Sequence, residues 1–226
     1  MLILEILGWF IFSAILMSFI EHQVHSRLMH KLSLPRFKKT FEAHAVFHHM
    51  HYLKIFSDEP VPDGEDREIR LTVRKAPIKA LPIAIPLALI SWKGALIFII
   101  TATLHHWTWN KLHLEMHKPE GKGFSKWPVY KYLARYHWLH HRYPNKNFNV
   151  VFPFADFILG TTARATVDDR LSMIEEFDHP GVRENPLGTG AEQLAGKIEE
   201  TVEETVEKPV EKPVEKPVEE KVGQLI

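Results

Sequence analysis

The sequence predicts an all-α protein in which multi-pass membrane helices carry a helical cap on the cytosolic side, followed by a tail. Three observations lead to this fold class. Two long apolar segments lie in the first half of the chain, the soluble segments between and after them have helical patterns, and nearly all histidines occur in short groups with helical spacing. The length of 226 residues fits one domain and a tail.

The first predicted element is a membrane helix over Leu2 to Ile20, whose only charge is Glu5. Nineteen residues in a helix extend about 28 Å, close to the thickness of the hydrocarbon core of a bilayer. No basic residue precedes this segment, so it is expected to be an uncleaved anchor rather than a signal peptide. Eleven Lys and Arg lie between Glu21 and Ala80, which places the chain after Glu21 in the cytoplasm.

The second apolar segment, Ile78 to Leu104, predicts a helical hairpin that turns at Trp92 to Gly94 on the far side of the membrane. Pro82 and Pro86 are expected to kink its first arm. A re-entrant hairpin that never crosses fully is the alternative, because each apolar arm is short for a crossing. If the second arm continues as one helix, the histidines that follow it emerge at the cytosolic surface, where the first helix also ends.

Two further segments, 41–55 and 128–141, have helical patterns and form the predicted cytosolic cap. The domain is expected to span residues 1–183. Residues 184–226 form an acidic tail with a net charge of −6, which leaves +6 on the body. The tail repeats VEKP and contains no aromatic residue, so it is predicted to be disordered and to act as a spacer or tether.

Histidine is the most informative residue in the composition, with fifteen His and no Cys. Spacings of three or four residues place imidazoles on one face of a helix, where they can share a metal ion, and an adjacent His can reach a second ion. The spacing of five between the two histidines of the first group predicts that they approach from different sides. The four groups are EHQVHSRLMH (His25, His30), HAVFHH (His44, His48, His49), HLEMH (His113, His117) and HWLHH (His137, His140, His141).

Ten clustered imidazoles predict two metal ions held jointly by several helices, because neutral rings gain little from clustering unless they coordinate something. The absence of Cys excludes thiolate zinc sites, iron–sulfur clusters and disulfides. HLEMH is not the HExxH of zinc proteases, and no nucleotide-binding or serine-hydrolase motif occurs. Isolated histidines at 22, 51, 105 and 106 are expected to hydrogen-bond to neighbouring groups instead.

The order and intervals of the four groups resemble the fatty acid hydroxylase superfamily of membrane di-iron oxygenases, which includes sterol desaturases and carotenoid hydroxylases. The resemblance spans roughly residues 9–161 and is closest to fatty acid 2-hydroxylases. SFIEHQVHSRLMH is similar to their SLIEYxIHRxLxH, WNKLHLEMH to YDxxHYxxH, and ARYHWLHHRYPNKNFNVVFPFADFILGT to KxxHxxHHxxxxxxxFGxxxxxxDxxFGT. His22 replaces the Tyr of that branch, and Ser26 replaces the Arg.

The resemblance implies an O2-dependent hydroxylase of a fatty acyl or related lipid chain that contains two iron ions. Zinc is a possible substitute in purified protein. A separate electron donor, a ferredoxin or cytochrome, is implied because the fused haem domain of the family is absent. No nucleic-acid partner is expected. The protein is expected to be integral to a membrane, either the bacterial inner membrane or the endoplasmic reticulum. Its His-rich face is expected on the cytoplasmic side. The implied metal ligands are His25, His30, His44, His48, His49, His113, His117, His137, His140 and His141.

Several alternatives remain open at this point. The substrate can be a sterol, carotenoid or alkane, and the outcome a double bond instead of a hydroxyl group. A membrane metal-handling protein is the more remote alternative, although transporters place their ligands near the bilayer midplane. Asp156 is either a partner for the outer N–H of a metal-ligating ring or the cap of a short helix.

Overall fold

A computed structural model describes residues 2–60 and 70–177 of the chain. Every regular element in these two ranges is helical, and no strand occurs in them. The all-α prediction is therefore confirmed for this part of the protein. Apart from Phe177, the described residues belong to one compact unit that ends at Glu176. The predicted tail and its boundary at residue 183 lie outside the described ranges.

The first helix, α1, covers Leu2–Val24 and continues without a break into a π-helical turn, His25–Met29. Among the described helices, only the combined helix Leu2–Met29 is long and apolar enough to cross a membrane by itself. Most of its apolar window is exposed, as expected for a helix whose apolar side chains face lipid. The prediction of a membrane-length helix at this position is confirmed.

The next helical stretch is assembled from short pieces. A 3₁₀ turn at Pro35–Phe37 leads into α2 (Lys38–Phe41), a π-helical segment (Glu42–His48) and α3 (His49–His51). This stretch corresponds to the helix predicted over 41–55, but it begins earlier and ends at His51. Its π-helical part carries two of the clustered histidines.

The predicted hairpin consists of α4 (Ala76–Ile90), preceded by a 3₁₀ turn at Val73–Lys75, and α5 (Trp92–His117). The turn is Ser91 alone, so its predicted placement at Trp92 to Gly94 was wrong. Ser91 leaves the helical region with φ −154° and ψ 114°, and its Oγ accepts a hydrogen bond from Gly94 N. Serine is a favoured helix N-cap, which explains why α5 restarts directly after it. The second arm does continue as one helix to His117.

Both α1 and α4 pack along α5. Small side chains dominate the contact, which lets the helix backbones approach closely, as in membrane helix bundles. An ion pair also joins α1 and α5. Lys93 Nζ at the start of α5 lies 3.1 Å from Glu5 Oε2 near the start of α1. The buried contact residues are Met17, Ala80, Ala84, Leu87, Ala95, Phe98 and Ala102.

Gly94 is required for the close contact between α1 and α5. A Cβ atom at this position would lie 2.8 Å from the Trp9 ring. We expect Gly94→Ala to destabilise the protein by about 1–3 kcal/mol, the usual cost of overpacking a tight core. Thermal unfolding in detergent measures this effect. Gly8→Ala is the matched control, because Gly8 has no neighbour within 4 Å of the added Cβ. Equal unfolding temperatures for the two variants would contradict the prediction.

The remaining helices complete the cap. They are a 3₁₀ turn at Gly123–Lys126, α6 (Pro128–Arg142), α7 (Phe154–Leu159) and α8 (Val167–Phe177). The loop between α6 and α7 is fastened to the end of α1. Ser18 Oγ donates to the Phe152 carbonyl at 2.6 Å and accepts from Ala155 N at 2.9 Å. This attachment places the loop directly beside the first group of histidines.

Candidate metal centre

Nine of the ten predicted ligands meet in two groups. In each group, one nitrogen from every ring lies within 4.8 Å of the others, which is the spacing of ligands around a single ion. Both groups consist only of histidine among the described residues. The first group is His25, His30, His44, His49 and His140, and the second group is His48, His117, His137 and His141.

In the first group, the Nε2 atoms face one another. His25 Nε2 lies 2.8 Å from His44 Nε2, and His30 Nε2 lies 3.0 Å from His140 Nε2. The Nε2 atoms of His140 and His49 are 3.1 Å apart. All of these side chains are buried except that of His30, which is half-buried. The five rings therefore direct the same ring nitrogen into one enclosed space.

The second group has the same arrangement. His137 Nε2 lies 3.1 Å from His117 Nε2 and 3.3 Å from His141 Nε2. His113, the tenth predicted ligand, is fully buried beside this group. Its ring centroid lies 4.7 Å from that of His117 and 4.8 Å from that of His48. The structure thus brings all ten predicted histidines into one region.

The two groups adjoin each other through neighbouring residues of the same boxes. The adjacent residues His48 and His49 belong to different groups, as do His140 and His141. The rings of His49 and His141 stack across the boundary with centroids 4.3 Å apart. This agrees with the expectation that an adjacent histidine reaches a second position.

The π-helical turn after α1 changes the geometry that the sequence predicted for the first box. His30 N–H donates to the His25 carbonyl at 3.0 Å, a hydrogen bond between residues five apart. In a π-turn, residues with this separation return to one side of the helix. His25 and His30 therefore belong to the same group, with ring centroids 5.0 Å apart. The expectation that they approach from different sides, which assumed an α-helix, was wrong.

The outer ring nitrogens of three histidines donate hydrogen bonds that orient the rings in a way that could hold a metal ion. His117 Nδ1 donates to the Phe56 carbonyl at 2.7 Å, and His140 Nδ1 donates to the Lys146 carbonyl at 2.7 Å. His25 Nδ1 donates to the Phe148 carbonyl. Because a carbonyl only accepts, the proton of each neutral ring resides on Nδ1, and the Nε2 lone pair points into the group. This is the usual tautomer of a metal-ligating histidine with an outer hydrogen-bond partner.

His48 gives an independent test of whether the site fits a metal. Its side chain is 1% exposed, and neither of its ring nitrogens has a hydrogen-bond partner among the described residues. A buried polar atom without a partner normally costs about 1–3 kcal/mol. Coordination of a metal ion satisfies such a nitrogen. The donor set therefore fits an ion that accepts imidazole ligands.

Electrostatics keeps the rings neutral. Burial, followed by the neighbouring imidazoles, holds the pKa of His44, His48 and His137 well below the usual value. Burial, with His25 and His49 as further causes, lowers the pKa of His30 to about 2. Protons therefore do not compete with a metal for these nitrogens near neutral pH.

The histidines that were expected to lie outside the site have other partners. His22 Nε2 donates to Thr161 Oγ1 at 2.9 Å, and His51 Nε2 lies 3.2 Å from Asp58 Oδ2. His105 Nε2 lies 3.2 Å from Glu21 Oε2, and His106 Nδ1 donates to the Ala102 carbonyl at 2.9 Å. The remaining histidine, at position 179, lies outside the described residues.

Asp156 has a role that neither sequence alternative anticipated. It is fully buried, and its oxygens accept hydrogen bonds from Phe148 N at 3.0 Å and Asn149 N at 2.7 Å. It therefore neither caps its own helix nor contacts a ligand ring directly. Instead it holds the loop whose Phe148 carbonyl binds His25.

Sequence reasoning missed the other anchor of this loop, Glu21. Its Oε1 accepts from Val150 N at 2.8 Å. An acidic residue at the end of an apolar segment was the available signal. The backbone carbonyls that orient the rings had no sequence signal, because every residue has one.

Comparison with known proteins identified no relative. No family model, curated protein or solved structure matches the chain.

Proposed function

We propose that this protein is a membrane non-haem di-iron hydroxylase of the fatty acid hydroxylase superfamily, which uses O2 to hydroxylate a fatty acyl or related lipid chain. The observation that carries the proposal is the pair of adjoining, buried, all-histidine groups at one end of a membrane-length helix. Two neighbouring positions with imidazole ligands suit a pair of redox-active ions, whereas structural zinc sites usually contain Cys.

The overall reaction balances as follows. A lipid C–H group, O2, two electrons and two protons give a C–OH group and water. Iron, when bound, supplies the redox chemistry that activates O2. The electrons come from a separate ferredoxin or cytochrome, because the chain has no Cys to hold an iron–sulfur cluster of its own. The order of the four histidine boxes favours iron over zinc as the native metal.

The protein's own residues orient the ligands and exclude water. The carbonyls of Phe56, Lys146 and Phe148 fix the protonated nitrogen of three rings, so that their Nε2 lone pairs face inward. Tyr52 packs against His117 of the second group, and Trp109 packs against the adjoining His113, each with ring centroids 4.1 Å apart. A dry site favours oxidation of an apolar substrate over side reactions with water.

We propose further that α4 and α5 also enter the membrane, which makes the protein multi-pass with its histidines on the cytoplasmic side. From Leu81 to Trp107, the exposed residues of these two helices are apolar. Contiguous exposed apolar surface of this kind marks a membrane or protein interface. The basic residues between positions 21 and 80 support the cytoplasmic orientation. The exposed apolar residues are Ile78, Leu81, Ile85, Leu89, Ile90, Trp92, Leu96, Ile100, Leu104 and Trp107.

This embedding favours a lipid substrate. The exposed apolar surface of α5 ends at Trp107, within two helical turns of His113 on the same helix, so a substrate held in the bilayer would lie close to the site. A sterol or carotenoid substrate, or desaturation, fits the same site chemistry. The product therefore has to be identified directly.

The test is oxygen incorporation by the purified full-length protein in detergent. We expect iron-loaded protein, chemically reduced and exposed to ¹⁸O2 with membrane lipids, to produce lipids heavier by one ¹⁸O atom, as mass spectrometry measures. Zinc-loaded protein is the matched control, because zinc has no redox chemistry. We expect at least about 100-fold less product from it, since the O2 chemistry depends on the metal.

Other products would change the proposal in defined ways. Lipids that lose two hydrogen atoms without gaining oxygen would replace hydroxylation by desaturation. Unaltered lipids, together with tightly bound zinc and no optical change with O2, would contradict an oxygenase and favour metal handling.

A further inference from the structure

The peptide group that joins Phe148 and Asn149 lies between a buried carboxylate and a ring of the first histidine group. Its carbonyl accepts the hydrogen bond from His25 Nδ1. Its N–H, which belongs to Asn149, donates to Asp156 Oδ2 at 2.7 Å. One planar peptide thus connects Asp156 to His25 through two hydrogen bonds.

The surroundings hold this connection rigidly. Asp156 is fully buried, and its other oxygen accepts from Phe148 N and from Thr161 Oγ1 at 2.6 Å. The Asn149 side chain donates to the Ser18 carbonyl at 2.8 Å and accepts from Asp156 N at 3.3 Å. The loop therefore has little freedom to move the Phe148 carbonyl away from His25.

A hydrogen bond at one end of a peptide group polarises the other end, because the amide is conjugated. A carboxylate is a strong acceptor, and bonds to it are about twice as strong as neutral ones. The Phe148 carbonyl therefore becomes a stronger acceptor for His25 Nδ1–H. A stronger bond at Nδ1 increases the basicity of Nε2, the nitrogen that points into the group.

We infer that Asp156 is a positioning residue that strengthens His25 as a donor by acting through the Phe148–Asn149 peptide. Asp156 thereby increases the donor strength of a ring in the first group without contacting the metal position itself. The inference rests on the proposed function only in assigning a metal to that position, because the polarisation itself requires none.

His140 provides an internal comparison. Its Nδ1 also donates to a backbone carbonyl, that of Lys146. The N–H of the same peptide belongs to Asn147 and donates to the neutral Thr161 carbonyl at 2.8 Å. Both rings donate from Nδ1 to a backbone carbonyl. Of these two carbonyls, only that of Phe148 belongs to a peptide group whose N–H donates to a carboxylate.

The deciding measurement is the NMR resonance of His25 Nδ1–H in metal-free, full-length protein in detergent. In Asp156→Asn, which keeps the size of the side chain and removes its charge, we expect this resonance to move upfield as the hydrogen bond weakens. The His140 Nδ1–H resonance should keep its position. In the same variant, we expect the affinity of the first group for Co²⁺ to fall about 10- to 100-fold, the usual effect of losing an outer partner, with the second group unchanged.

Glu21→Gln is the matched control. Glu21 holds the same loop through Val150 N, but that N–H belongs to the next peptide, whose carbonyl is that of Asn149. Both substitutions loosen the loop and remove a negative charge that acts on His25 through space, whereas loss of polarisation through the Phe148–Asn149 peptide should occur only in Asp156→Asn. Equal shifts of the His25 resonance in the two variants, or no shift in Asp156→Asn, would overturn the inference.

Thr161→Val covers the case in which Asp156→Asn does not fold. This change removes one donor from Asp156 and leaves its charge available to Asn149 N–H, so the His25 resonance should move downfield; an unchanged resonance would overturn the inference. Failure of the proposed function is distinguishable from failure of this inference. If the protein never hydroxylates lipid but the His25 resonance shifts as expected, the proposed function fails and the inference stands.

Discussion

Replacement of His140 by alanine is expected to empty the first metal position and abolish oxygen incorporation into lipid. His140 Nε2 lies 3.0 Å from His30 Nε2 and 3.1 Å from His49 Nε2, so it is a central member of the group. Loss of even an outer partner of a ligand costs about 10- to 100-fold in metal affinity or activity, and we expect loss of a ligand to exceed about 100-fold. Metal content per chain and ¹⁸O incorporation measure the two effects.

His51→Ala is the matched control for this variant. His51 lies in the same helical stretch as His48 and His49, but its exposed ring pairs with Asp58 and belongs to neither group. We expect it to keep the wild-type metal content and activity. If His140→Ala retained the wild-type metal content, or if His51→Ala lost as much metal as His140→Ala, the assignment of the first group would fail.

The composition of the site could be predicted because histidine spacing is directly visible in the sequence. Ten imidazoles in four helical boxes have few uses other than metal binding, and the structure brings all ten together. The division into groups was only partly predictable. Adjacent pairs such as His48 and His49 were expected to reach two positions, and the two residues do lie in different groups. The pairing of His25 with His30 required the π-turn, which no residue in that segment signals.

The apolar helices were likewise only partly predictable from the sequence. The apolar lengths predicted α1 and the α4–α5 hairpin. The position of the turn depended on the capping of α5 by the Ser91 side chain, which competed with the more obvious break at Gly94. Gly94 instead serves the contact with Trp9, a long-range packing effect that local patterns do not contain.

The outer contacts of the rings could not be predicted at all. Phe56, Lys146 and Phe148 act through their carbonyls, so their side chains carry no information about the role. Asp156 was recognisable as a candidate from its position in the last motif. Its route to His25 depends on the path of the loop, which Ser18 and Glu21 determine from a distant part of the chain.

Removal of metal is expected to destabilise the protein strongly, because the metal-free site buries ring nitrogens that have no hydrogen-bond partner among the described residues. The Nε2 lone pairs of His25, His117 and His140 point inward, and His48 has no hydrogen-bond partner at either nitrogen among the described residues. The depressed pKa of His48 and His140, caused first by burial, prevents protons from taking the place of the metal near neutral pH. A cation that coordinates imidazole relieves this cost.

The size of the effect follows from binding linkage. A ligand present at about 1,000 times its Kd stabilises the folded state by about 4 kcal/mol. For a protein of this size, about 1 kcal/mol shifts the unfolding temperature by about 2–4 °C, so chelation should lower it by about 10 °C or more. Tryptophan fluorescence during heating, before and after chelation and again after metal is restored, measures the shift. His140→Ala should show a smaller loss on chelation, because one position is already empty. An unfolding temperature that does not change on chelation would show that the two histidine groups do not bind metal in the folded protein.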